Sequence, residues 1–283
     1  MKKAALVLVG TPIGNLDDIS LRSIRELKNA DAICCEDSRR TGKLLAHLQC
    51  APRPPLLVVN EHSEKRRCQE IIDRIQNGER LVMVTDAGMP GIADPGEYIV
   101  KKVAESGLTV EVIPGPSAGI TALIGSGLSP RRFAFEGFLP RKGASRTTRL
   151  QEISTDRRTI ILFESPRRLQ KTLADLSKYF GPSRRATIAR ELTKIHEEYH
   201  RGTLVQLLDE FSDTAPKGEI VIVIEGGEEK VQSSDDEILH ALKLAVQDGL
   251  STRDAVREVS STLDISKRKV YDLHISTMRN ELR

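Results

Sequence analysis

A chain of 283 residues with 39% hydrophobic and 29% charged residues is long enough for two domains that each bury a core, and its composition is that of an ordinary globular protein. No stretch reaches the ~20 apolar residues of a membrane span. The start, Met1 to Gly10, sets two lysines before an apolar run but lacks a small-residue cleavage site, so a first buried strand and a cytoplasmic location are expected.

The first half alternates two patterns. Short apolar runs predict strands over Ala4–Val9, Ala32–Cys35, Leu56–Val59, Leu81–Val84 and Leu108–Ile113. Helical spacing predicts helices over Leu21–Ala30, Leu44–Leu48, Cys68–Ile75 and Tyr98–Ser106. Such alternation indicates a mainly parallel sheet covered on both faces. Neighbouring Cys34 and Cys35 then point to opposite faces of their strand. With Cys50 and Cys68 they show neither metal-ligand nor redox spacing, so reduced structural thiols are expected and no metal.

Pro114-Gly115-Pro116-Ser117 breaks the series and opens a small-residue helix, Ala118–Gly125, with Ser117 as N-cap. This divides an N-terminal α/β domain, 1–116, from a second, 117–226. In the second, strands are expected over Phe133–Glu136, Thr159–Glu164, Ala186–Arg190 and Ile220–Glu225, and helices over Leu169–Tyr179 and Leu204–Phe211. A polar linker from Gly226 to Ser234 leads to three helical patterns, Ile238–Val246, Arg253–Ser260 and Lys267–Met278. This extension, 227–283, resembles a helix-turn-helix with Ser266 capping the last helix, a spacing also common in small bundles.

Net charge is +3, but residues 131–190 hold fifteen Lys/Arg against five Asp/Glu. This is a polyanion surface or a set of solvated helix faces. Aromatics are only 4% and Trp is absent, so base stacking is not expected to dominate any nucleic-acid contact.

The loops after strands carry the candidate chemistry. Thr85 to Gly96 packs three glycines and two prolines into twelve residues directly after an apolar strand. Asp94 capping the next helix, with Pro95 at its first position, accounts for the second half of this loop. Asp86-Ala87-Gly88-Met89-Pro90 is left for a ligand, since glycines let backbone approach one closely. Gly10-Thr11-Pro12-Ile13-Gly14-Asn15-Leu16 matches neither the dinucleotide fingerprint nor a P-loop, which disfavours a nicotinamide enzyme or an NTPase. It reads as a turn, with Asp17 or Asp18 capping the next helix. Glu36-Asp37-Ser38-Arg39 is either a polar substrate rim or a solvated loop of ion pairs. Three further polar groups flank strands: Phe163 to Arg168, Ala189 to Lys194, and Pro216 to Glu219. Arg190 or Glu191 could pair with Glu164 or Lys217 across the sheet.

Taken together, eight motifs stand in order: Thr11-Pro12-Ile13-Gly14-Asn15-Leu16, Glu36-Asp37-Ser38-Arg39, Asp86 to Pro90, Pro114 to Ser117, Thr121-Ala122, Phe135-Glu136-Gly137-Phe138-Leu139-Pro140, Phe163 to Arg168, and Ala189 to Lys194. In this order they resemble the tetrapyrrole methylase-like (class III) methyltransferases, and within them the small-subunit ribosomal RNA methyltransferases. The resemblance covers residues 4 to about 225. It implies two α/β domains with a cofactor cleft between them, S-adenosylmethionine as methyl donor, and methylation of a cytidine ribose 2′-oxygen in the decoding region of 16S rRNA by a homodimer. It also implies Pro12, Asp86, Ala87, Gly88, Met89, Pro90, Ile92, Ser117, Thr121, Ala122, Pro216 and Gly218 at the cofactor. Glu164 is the expected catalytic acid, with Arg190 and Lys217 supporting substrate charge and Glu36 and Asp37 in reserve, since a hydroxyl acceptor needs a base or a charge favouring its alkoxide. Glu36, Asp37 and Arg39 form the expected substrate rim. Arg141, Lys142, Arg146 and Arg167 are expected on RNA phosphates. Many relatives carry Thr where this chain has Met89 and a larger apolar residue where it has Gly91, which loosens the loop here.

Two other functions fit parts of the chain. A tetrapyrrole C-methyltransferase would share the cofactor site, but the Arg-rich second domain suits a small macrocycle poorly. A nucleic-acid-binding regulator built on the tail would leave every strand-end motif before Gly226 without a purpose.

Overall fold

The computed structural model describes residues 3–212, 216–227, 234–263 and 265–281, so residues 228–233 of the expected linker lie outside it. The chain forms two compact units, Met1–Gly227 and Glu228–Arg283. Both sheets belong to the first.

The first sheet is built as the alternation predicts: β1 (Ala5–Val9), α1 (Leu21–Asn29), β2 (Ala32–Cys35), α2 (Ser38–His47), β3 (Leu56–Val58), α3 (Glu64–Gln76), β4 (Arg80–Met83), α4 (Glu97–Glu105) and β5 (Val110–Ile113). All its pairings are parallel, in the order β3-β2-β4-β1-β5. β1, β2 and β4 are buried throughout, as strands covered on both faces must be. Cys34 joins the cluster under α3 and α4, and Cys35 the opposite one beneath α1 and α2. Burial pushes the Cys34 thiol up to about 12, which keeps it unreactive. α2 begins six residues before its expected start because Asp37 caps it, accepting from the Arg39 N–H at 2.8 Å. α1 is capped by Ser20 rather than by Asp17 or Asp18, which occupy a 3-10 turn capped by Asn15.

α5 (Ala118–Ser126) leads into a mixed sheet: β6 (Phe133–Phe138), α6 (Ala144–Ser154), β7 (Thr159–Glu164), α7 (Leu169–Phe180), β8 (Arg185–Arg190), β9 (Glu198–Thr203), α8 (Leu204–Glu210) and β10 (Ile220–Ile224). Its order is β6-β7-β10-β8-β9, and only β6 and β7 run parallel. Ile220, Ile222 and Ile224 of β10 face the core under α6 to α8, while Val221 and Val223 face α5 and Ile13. The two-residue period of a strand buried on both sides thus serves two cores.

The sequence gives no sign of α6 or β9. On α6 the buried stripe is Arg146, Leu150 and Ile153, so a cation stands where an apolar residue marks a helix face. β9, Glu-Tyr-His-Arg-Gly-Thr, is a half-exposed edge strand and lacks an apolar run.

The second unit consists of α9 (Asp235–Gln247), α10 (Thr252–Thr262) and α11 (Lys267–Glu281). Ile238, Leu242, Ala255, Val256, Val259 and Val270 form its own core. Ser266 caps α11, accepting from the Lys269 N–H at 3.3 Å.

Candidate active site between the two sheets

In the first sheet β1 connects towards β2 and β4 towards β5, so adjacent β1 and β4 send their crossovers to opposite sides. The gap beyond their carboxyl ends is the switch point where open α/β sheets bind ligands. Two loops fill it: Gly10 to Asn15 after β1 and Val84 to Gly96 after β4. They are tied by a bridge between Thr11 and Gly88, with N–H···O distances of 2.9 and 3.1 Å. The β1 loop also reaches the second sheet, where the Asn15 N–H donates to Thr193 Oγ1 at 3.0 Å and Ile13 packs with Leu192 and Val221.

Between these loops and the ends of β7 and β10 lies a cavity of about 370 Å³. Ala87, Gly88, Met89, Ile92 and Asp94 form one wall, Ser117 the floor, and Phe138, Phe163, Glu164 and Gly218 the other wall. Gly88 holds φ +83° and Gly218 φ +96°, conformations that need glycine.

Asp94 is the residue that sequence reasoning misplaced. It does not cap α4. Glu64, from α3, does so instead: its Oε1 accepts the N–H groups of Gly96, Tyr98 and Ile99 at 2.9, 3.1 and 3.3 Å. Asp94 is left facing the cavity, and its carboxylate makes no hydrogen bond or ion pair with any described residue. Burial, with the nearby charges of Glu36 and Asp86, raises its pKa to about 6. Glu36 is raised in the same way.

The other expected site residues divide between locations. Pro12 and Asp86 border a second, smaller hollow of about 210 Å³, with Thr11, Arg40 and Thr85. Asp86 accepts the Asp37 N–H at 3.2 Å and pairs with Arg40 at 3.4 Å, so the Glu36–Asp37 rim lies against this hollow. Arg39 is exposed and pairs with Asp37 at 2.7 Å. Thr121 turns its hydroxyl to the Ser117 carbonyl at 2.9 Å, and Ala122 is fully buried in the core below the cavity. Pro90 and Pro216 are outside the cavity lining.

Glu164 lines the cavity, but both its oxygens serve the protein. Oε1 accepts the Ser165 N–H at 2.8 Å and pairs with Arg168 at 3.3 Å, and Oε2 accepts from Thr172 Oγ1 at 2.6 Å. Arg190 pairs with Glu198 at 2.6 Å, rather than with Glu164, and donates to the Lys217 carbonyl at 3.0 Å. Neither Arg190 nor Lys217 lines the cavity. Arg141, Lys142 and Arg167 are exposed. Arg146 needs correction as a phosphate contact: its side chain is 5% exposed, with Nε on Asp175 at 2.8 Å, one NH₂ group on the Pro140 carbonyl and the other on Thr172 Oγ1. No phosphate reaches a guanidinium so enclosed.

The relatives of the chain bear on this geometry. The family model described as Tetrapyrrole (Corrin/Porphyrin) Methylases matches residues 5–208. A protein from Synechocystis sp. is 41% identical over 272 residues, covering 95% of this chain and 97% of its own length, and one from Halalkalibacterium halodurans is 38% identical over 281 residues, covering 96% and 95%. Both are named Ribosomal RNA small subunit methyltransferase I. The chain belongs to that family. It is a methyltransferase with the tetrapyrrole methylase fold, and solved structures agree on the fold. Diphthine synthase superposes with a TM-score of 0.60 at 16% identity, over 78% of this chain and 90% of that one. Uroporphyrin III C-methyltransferase from Thermus thermophilus does so with 0.56 at 19%, over 79% and 97%. Among the described residues, no helix of this family member is long and apolar enough to cross a membrane.

Proposed function

We propose that the protein transfers a methyl group from S-adenosylmethionine to the ribose 2′-oxygen of a cytidine in the decoding region of 16S rRNA, as a cytoplasmic homodimer. The observation that carries this reading is the cavity at the switch point, with the unpartnered carboxylate of Asp94 in its wall. The cavity suits the cofactor in two respects. Its volume and largely apolar walls are those of a small-molecule site. Its unpaired acid suits a sulfonium cation, which relieves the repulsion from Glu36 and Asp86.

In this reading Ala87, Gly88, Met89, Ile92, Ser117 and Gly218 hold the cofactor, Thr121 and buried Ala122 support Ser117, and Pro12 and Asp86 border the neighbouring hollow. When bound, S-adenosylmethionine supplies an electrophilic methyl group. The chain itself aligns the acceptor oxygen and keeps water out, which is the main protein contribution to a displacement of this kind. The acceptor hydroxyl must lose its proton. Asp94, near pKa 6 and open to the cavity, is the better acceptor of that proton, and Glu164 holds the wall to Thr172 and Arg168. The RNA acceptor is supported by the names of the relatives and by the exposed Arg141, Lys142 and Arg167. A homodimer is supported by Ile120 and Ile124, 44% and 69% exposed on neighbouring turns of α5.

The test is transfer of labelled methyl groups to 16S rRNA and to small subunits lacking the modification, followed by nuclease digestion. The expected product is 2′-O-methylcytidine. Label on a nucleobase, or on uroporphyrinogen in preference to RNA, overturns the assignment.

A further inference from the structure

Phenylalanine is scarce in this chain, yet four of its six copies lie on two neighbouring strands, and two of them, Phe138 and Phe163, line the cavity. Phe133, Phe135 and Phe138 lie on β6 and Phe163 on β7. Phe163 receives two neighbours edge-on, Phe135 at 4.9 Å between ring centroids and Phe138 at 5.7 Å. Phe138 ends this chain of rings. It lines the cavity and the groove beside it, and is 56% exposed.

Strand alternation alone turns Phe138 to the sheet face opposite Phe135. A bulge reverses that. Phe135 pairs with Ile161 but Gly137 pairs with Leu162, so Glu136 is an extra residue, and Gly137 takes φ +61°. Phe138 therefore lands opposite Phe163 on the cavity side. Bulges next to sites re-aim side chains in this way. Core packing does not account for the result, because the ring is turned into solvent.

Exposed cations stand on the segments that follow β6 and β7, while Asp94, Glu164 and Glu219 line the cavity itself. Arg141 and Lys142 follow in the exposed loop, and Arg167 is exposed on the turn after β7. Glu136, the acid of the bulge, is neutralised by Arg149. An exposed aromatic face flanked by cations is how proteins hold unpaired nucleobases and the phosphates joining them.

We propose that Phe138 is a stacking platform for an unpaired nucleobase of the acceptor RNA at the cavity mouth, with Arg141 and Lys142 on the adjoining phosphates and Phe163 fixing the ring's tilt. The inference rests on the RNA-acceptor reading above. It differs from the compositional expectation in being local: one ring beside the reacting ribose, not an aromatic surface.

The chain has no tryptophan, so Phe138→Trp introduces a single indole as reporter. Titration with a short single-stranded RNA containing cytidine is expected to quench it, while Phe133→Trp, on the same strand but outside both hollows, stays unquenched. Phe138→Ala is expected to weaken RNA affinity about fivefold or more, with S-adenosylmethionine affinity by calorimetry and thermal stability unchanged. Phe138→Tyr is expected to match the native protein. If the native protein binds RNA but the indole is unquenched and Phe138→Ala binds as well as native, the platform is wrong and the RNA reading survives. Loss of cofactor affinity in Phe138→Ala reassigns the ring to the cofactor and overturns the proposal. If the native protein binds no RNA, the acceptor reading fails and takes the platform with it.

Discussion

Gly10 and Gly115 meet backbone to backbone. A Cβ on Gly10 would stand 2.7 Å from the Gly115 Cα, and one on Gly115 2.8 Å from the Gly10 Cα. The loop after β1 and the turn after β5 thus close on each other at the edge of the site. The same position on Gly10 would lie 2.7 Å from Met89 Sδ, so the contact also sets where the β4 loop rests. Gly10→Ala is expected to destabilise the protein by about 1–3 kcal/mol, as overpacking does, and to weaken S-adenosylmethionine binding by displacing Met89. Denaturant unfolding and calorimetry check the two effects. A variant with native stability and affinity shows that the loops yield freely.

Asp94 makes the protein sensitive to pH, with a definite sign. Its folded pKa of about 6 lies above the ordinary 3.8, so the folded chain keeps a proton that the unfolded chain has released. The stability this contributes is present at low pH and is lost as pH rises through about 6. The Tm of native protein relative to Asp94→Asn is expected to fall between pH 5 and pH 7.5. A constant difference removes Asp94 from the account.

Cofactor binding should run the other way over the same range. A sulfonium favours the ionised carboxylate, so affinity is expected to rise about tenfold from pH 5 to pH 7.5. Asp94→Asn should flatten most of that rise, leaving the smaller part due to Glu36, whose pKa is raised by burial and Asp86. Calorimetry at the two pH values decides.

Glu64 holds the far end of the cavity loop through three N–H groups at the start of α4. Glu64→Ala is expected to cost about 1–2 kcal/mol, the upper range for a lost helix cap, and to weaken cofactor binding because Ile92 and Asp94 lose their anchor. Glu64→Gln keeps an acceptor oxygen and should recover most of both. Equal losses in the two variants point to the charge of Glu64 rather than its cap.

Arg146 belongs to the scaffold. Removing it leaves Asp175 unpaired and a hole beside Thr172, so Arg146→Met is expected to destabilise by about 3 kcal/mol. RNA affinity and its salt dependence should be unaltered once the folded fraction is corrected for. Arg141→Ala with Lys142→Ala should do the reverse, lowering RNA affinity and the salt slope without a change in Tm. A fall in salt slope for Arg146→Met alone contradicts its burial.

The sequence by itself determined the strands buried on both faces, because their apolar runs need no partner to be recognised, and so β1, β2, β4, β7 and β10 stand within a residue or two of expectation. It also determined the family and the two loops at the switch point, since strand-loop-helix punctuation by Gly and Pro is local. Tertiary structure decided who satisfies whom. Asp94 looks like a helix cap until Glu64, thirty-two residues before Gly96 in sequence, takes the N–H groups. Arg146 looks like a free cation until Asp175 and Thr172 enclose it. Phe138 lies beyond the strand expected over Phe133–Glu136 until a bulge re-registers β6 against β7 and carries the strand on to it. Each outcome turns on competition between distant groups for one donor, one charge or one register, and no window of neighbouring residues contains both competitors.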